Sequence, residues 1–128
     1  MSVMRCFSTV ITAVSDEARE LAEGGVLILF AEGAPPELAE VSVLHRVAIE
    51  PTAAPPAVGA ILNVAGLSTR ITAVGGYAWK KMGEIGHVVL NFNGATEAPR
   101  PGEIAAEELD LAALAKALQP GAEISIET

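Results

Sequence analysis

The sequence is poorest in the side chains that most enzymes use near neutral pH. It holds two histidines and one cysteine. The lone Cys6 excludes an internal disulfide, and it is expected to be a small buried residue of the first strand. No HxH, HxxxH or CxxC spacing occurs, so there is no foundation for a metal centre. The GxSxG turn that exposes a nucleophilic serine is missing as well. Ser42 lies shortly before His45, but on a strand the two would face opposite sides. The GxxxxGK[ST] loop that cradles nucleotide phosphates is also missing. Gly75-Gly76 reads as a turn. No cofactor and no metal are therefore expected.

Positive charge is scarce. Eight Lys and Arg stand against 16 Asp and Glu, for a net charge of −8. Lys80-Lys81 is the only adjacent basic pair. Without a basic stripe there is nothing to displace phosphate counterions, so nucleic acid is excluded as a partner and an anionic membrane surface is disfavoured. Long apolar runs are missing too. Gly25 to Ala31 and His87 to Leu90 are the strongest, far short of the roughly 18–20 residues of a membrane span. The first ten residues, MSVMRCFSTV, do not form a signal-peptide core. A cytoplasmic protein with no direct membrane insertion is the expectation.

What is present is apolar and evenly spread: 51% of the 128 residues are hydrophobic. That is enough for the core of one ordinary domain, expected over 1–128. The pattern is mostly β, cut by Gly and Pro. Strands are expected at 3–14, 26–31, 41–49, 57–66, 69–74, 87–93, 103–106 and 123–127. Ser15 precedes a short helical stretch with two terminating glycines, and Pro36 can open a single helical turn. Residues 77–86 have helical spacing closed by Gly86, and Asp110 can cap LAALAKAL. The fold class that follows is mainly β: a small single-domain barrel or sandwich of short strands, largely antiparallel, with one or two short helices.

Within that frame the two histidines are the candidates for chemistry. His45 ends the run EGAPPELAEVSVLH and lies in an alternating apolar strand. His87 follows ITAVGGYAWKKMGEIG and opens another. By position alone, each also fits a hydrogen-bonded structural histidine. Trp79 reads as a core or rim aromatic.

Four stretches together are familiar: FAEGAPPELAEVSVLH (30–45), ITAVGGYAWKKMGEIGHVVLNFNG (71–94), PGEI (101–104) and PGAEISIE (120–127). In order and spacing the chain resembles the glucitol/sorbitol-specific enzyme IIA component of the bacterial sugar phosphotransferase system (PTS). The resemblance implies a small, mainly β barrel. It implies a phosphotransferase component that takes a phosphoryl group from phospho-HPr on His45, after the GAPPEL turn. That group then passes to a IIB component serving a IIC permease for glucitol/sorbitol. The family's second histidine matches His87, implied to support the site.

Imidazole suits the task. With a reference pKa of about 6.5 it is a neutral nucleophile at pH 7 and later a good leaving group. Transfer through a loose transition state leaves positioning and electrostatics as the catalytic means. Donors to the phosphoryl oxygens are expected among backbone N–H groups, His87 and Lys81, with Arg46 last because it faces away from His45 on a strand. Two features depart from the family pattern: Lys81 replaces a neutral amide, and 105–118 is longer and more helical. They keep open an alternative, a non-transporting regulatory or binding module that kept the IIA fold. An unrelated small-molecule-binding barrel is supported only by the apolar composition.

Overall fold

The computed structural model describes residues 5–98 and 100–127. The first strand, β1, covers Arg5–Val14; the expected residues 3 and 4 lie outside the described residues. Ser15 then caps helix α1 (Asp16–Glu23): its Oγ accepts from the Ala18 N–H at 3.0 Å and donates to the Glu40 carbonyl at 2.6 Å. Strand β2 (Val26–Ala31) follows. Pro36 then opens the one-turn helix α2 (Pro36–Ala39), and β3 (Val43–Ile49) carries His45. A proline-rich loop leads to β4 (Ile61–Val64) and β5 (Leu67–Val74). Helix α3 (Ala78–Ile85) precedes β6 (Val88–Phe92) and β7 (Glu103–Ala106). Helix α4 (Leu111–Ala117), capped by the Asp110 carboxylate on the Ala113 N–H, leads to β8 (Glu123–Glu127).

The strands close into a barrel in the order β1-β3-β2-β6-β7-β5-β4-β8, with β8 paired back to β1. Closure leaves no free sheet edge, which decides for a barrel over a sandwich. Two differences from the expected pattern have physical causes. Four short helices form rather than one or two, because Pro36 and Asp110 each supply a start signal strong enough for a helix of one or two turns. Two strand pairs, β2–β3 and β6–β7, are parallel. Parallel neighbours need a crossover, and the α2 segment and the stretch 93–102 provide them.

Alternation fills the barrel. Phe7, Thr9 and Ile11 on β1, Leu27 and Leu29 on β2, Val43 and His45 on β3, and Val88, Leu90 and Phe92 on β6 are buried. Cys6 is buried and free, as the first-strand reading expects. Trp79 is a core aromatic: its ring meets Phe7 edge-on at 6.2 Å, and its Nε1–H donates to the Thr52 carbonyl at 2.6 Å. Through Ala78, Trp79 and Met82, α3 covers the barrel near His45.

The Gly75-Gly76 turn that launches α3 is asymmetric. A Cβ on Gly75 would lie 2.3 Å from the Pro101 carbonyl oxygen, whereas one on Gly76 would meet nothing within 4 Å. Gly75→Ala is therefore expected to destabilise the fold by about 1–3 kcal/mol through overpacking, and Gly76→Ala to leave it nearly unchanged. Urea melts of the two variants check this; equal midpoints would show that the Pro101 backbone yields freely.

Candidate functional site

His45 lies on the inner face of β3 with 0% of its surface exposed. Both ring nitrogens are engaged. Nε2 is 2.7 Å from the Gly86 carbonyl oxygen, and Nδ1 is 2.7 Å from Thr9 Oγ1. A carbonyl only accepts, so Nε2 carries the proton. The neutral ring then leaves its lone pair on Nδ1, and the Thr9 hydroxyl donates to it. The edge of Phe7 closes one side at a centroid distance of 6.3 Å.

Gly86 reaches this position through the end of α3. It takes the left-handed conformation, φ 64°, that ends many helices. Its N–H donates to the Met82 carbonyl, the 5→1 bond of a left-handed helix cap, and the His87 N–H reaches the Lys81 carbonyl at 3.4 Å. The turn aims the Gly86 carbonyl at His45. A side chain is barred on two counts: the positive φ, and a Cβ position 2.8 Å from Ala31 Cβ and 3.2 Å from His45 Cε1.

His87 sits differently. Leu29 pairs with Val88, and both point inward, so Phe30 and His87 point outward, their ring centroids 5.0 Å apart. His87 Nδ1–H donates to the Leu29 carbonyl at 3.1 Å. The ring lines an external cleft of about 440 Å³ with Tyr77, Lys81, Arg100 and Gly102. His45 and His87 thus lie on opposite faces of one sheet. Lys81 is exposed on α3, its chain lying over Gly102 on the His87 side. Arg46 is exposed and faces away from the barrel interior, as strand alternation requires.

Sequence reasoning finds His45 and His87 but misses Thr9 and the role of Gly86. Thr9 carried a signal: it is a polar residue at a core-facing position of an apolar alternating strand. Gly86 reads only as a helix stop; its carbonyl's direction follows from tertiary packing. Among the described residues, no three His, Cys, Asp or Glu side chains gather as metal ligands. Among those same residues, no helix is long and apolar enough to cross a membrane.

Burial lowers the pKa of His45 below its ordinary value; the bond to Gly86 and the charge of Glu32 oppose the shift without cancelling it. The native ring is thus neutral at pH 7. A base with a depressed native pKa binds fewer protons folded than unfolded. Its contribution to stability is complete above the unfolded value of about 6.5 and falls as pH drops toward the native pKa. The melting temperature should fall between pH 7 and 5 by a few degrees more in the wild type than in His45→Gln. Parallel pH profiles for the two would remove His45 as the cause.

The fold and site define a class: a small, closed eight-stranded β barrel enclosing one neutral, tautomer-fixed histidine. The crystal structure of a PTS system IIA component from Enterococcus faecalis V583 superposes with a TM-score of 0.65, covering 91% of this chain and 96% of that one at 18% identity. It establishes the shared fold. The PTS system glucitol/sorbitol-specific IIA components of Shigella flexneri and Escherichia coli (strain K12) are each 34% identical over 103 residues, 77% of this chain and 78% of theirs. The sequence profile of the PTS system glucitol/sorbitol-specific IIA component family matches residues 6–125. The chain belongs to that family and is a phosphotransferase component.

Proposed function

We propose that this chain, as one IIA domain over 1–128, works in the cytoplasm as the phosphocarrier of a glucitol/sorbitol phosphotransferase system. It accepts a phosphoryl group from phospho-HPr on His45 and passes it to the IIB component of a IIC permease. The observation that carries the reading is the neutral imidazole of His45, held by a fixed hydrogen bond at each nitrogen in a rigid barrel. In the donor the P–N bond breaks and its electron pair stays on the donor imidazole; a new P–N bond forms on His45. Both nitrogens are occupied in the resting arrangement, so acceptance requires one partner to withdraw. The Gly86 carbonyl is the candidate: Gly86 is buried, but it follows the exposed Gly83, Glu84 and Ile85 at a helix end, whereas Thr9 lies in a strand paired on both sides. Lys81 and the 105–118 region bear on partner fit rather than on the acceptor, because neither contributes a hydrogen bond to His45.

His87 supports this site from outside the barrel. Its bond to the Leu29 carbonyl fixes the start of β6 and with it the adjacent Gly86. A misplacement of about 1 Å costs up to a hundredfold in rate.

Incubation with phosphoenolpyruvate, enzyme I and HPr should add one acid-labile, base-stable phosphoryl group to the peptide containing His45. An acid-stable adduct, or none on that peptide, would remove His45 as acceptor. His87→Ala should still accept phosphate on His45 but hand it on about ten- to a hundredfold more slowly. Full-rate transfer accompanied only by a lower melting point would reduce His87 to a strand anchor. Transfer from purified phospho-HPr should be unaffected by EDTA, because histidine-to-histidine transfer involves no nucleotide to carry Mg²⁺. Loss of transfer on chelation would contradict this.

A further inference from the structure

Resting on the phosphocarrier reading, we propose that Thr9 is a positioning residue of the transfer site: its hydroxyl holds His45 Nδ1 before and after phosphorylation, so that Nε2 receives the phosphoryl group.

The two partners of His45 differ in what they allow. The Gly86 oxygen accepts and never donates, so it tolerates only a protonated Nε2. The Thr9 hydroxyl both donates and accepts. In the resting ring, Nε2–H points at Gly86 and Thr9 donates to Nδ1. A nucleophilic Nε2 requires the other tautomer, with the proton on Nδ1. Opposite Gly86 that tautomer would set a lone pair against a carbonyl oxygen. Opposite Thr9 it needs only a rotation of the hydroxyl, which then accepts from Nδ1–H. One side of the ring is therefore a reversible tether and the other must open.

Burial points the same way. Thr9 has 0% of its surface exposed and lies on β1, paired on one side with β3 and on the other with β8. Gly86 is itself buried, but it follows a two-turn helix whose last residues are exposed and precedes β6, so moving its carbonyl breaks no strand pair. Once that side is open the ring proton shifts from Nε2 to Nδ1, with none consumed overall, and the Thr9 hydroxyl accepts from Nδ1–H. The Nε2 lone pair then forms the P–N bond as the donor's breaks.

The test compares wild type, Thr9→Ser and the isosteric Thr9→Val by phosphorylation from phospho-HPr. Intact mass is read over time, and the phosphorylated nitrogen is assigned by ¹⁵N–³¹P couplings in labelled protein. The expected result is an Nε2 adduct in wild type and Thr9→Ser at similar rates. Thr9→Val should be slower by about tenfold, the scale of one hydrogen bond in a transition state, despite a native melting profile at the assay temperature. An Nδ1 adduct in wild type overturns the proposal whether or not Thr9→Val folds. So does a folded Thr9→Val that reacts at the wild-type rate. No phosphorylation of wild type beside intact phospho-HPr would instead sink the phosphocarrier reading, and this proposal with it.

Discussion

One buried imidazole, bonded at both nitrogens, organises this end of the barrel. His45 is inward on β3, and each of its ring nitrogens would cost about 1–3 kcal/mol if buried without a partner. That cost is offset on one side by a neighbouring strand, through Thr9, and on the other by the end of a helix, through Gly86. The ring thus joins β1, β3 and the α3–β6 junction. It also fixes its own chemistry, since a carbonyl partner dictates the proton's place and burial keeps the ring neutral.

The helix end is held with matching care. The left-handed Gly86 cap closes α3, the Gly75 turn opens it against Pro101, and Trp79 packs onto Phe7, whose edge in turn meets His45. On the outer face, His87 holds the Leu29 carbonyl directly beside Gly86 in sequence. The two histidines of the family pattern are therefore linked without touching. One is the buried ring; the other, next in sequence to that ring's Gly86 partner, bonds the Leu29 carbonyl on the outer face.

Much of this was legible in the sequence, and the limits are instructive. Alternation in segments such as VMRCFSTVITAV and VLILFA located the strands because one face of each is packed against a core. Ser15, Pro36, Gly86 and Asp110 marked helix ends because local backbone chemistry suffices there. Barrel closure and the two parallel pairs were not legible, because strand partnership depends on distant segments. Family resemblance pointed to His45 and His87 but not to their opposite faces. Register settles that: Leu29 pairs with Val88, which turns His87 outward, while His45 pairs with Ala31 and turns inward. Thr9 carried only a weak mark, a hydroxyl where the alternation calls for an apolar side chain.

A carrier of a labile phosphoryl group faces opposed demands. The group must be kept from water between transfers, yet the ring must meet two different partner proteins. A wholly rigid barrel meets the first demand and fails the second; a surface histidine does the reverse. On the proposed phosphocarrier reading, the arrangement at Gly86 would reconcile them with a small cover, a single peptide carbonyl at a helix end. That cover tolerates only glycine, because the left-handed turn that aims the carbonyl also brings the α-carbon against Ala31 and His45. The same closeness that excludes a side chain gives the hydrogen bond its reach.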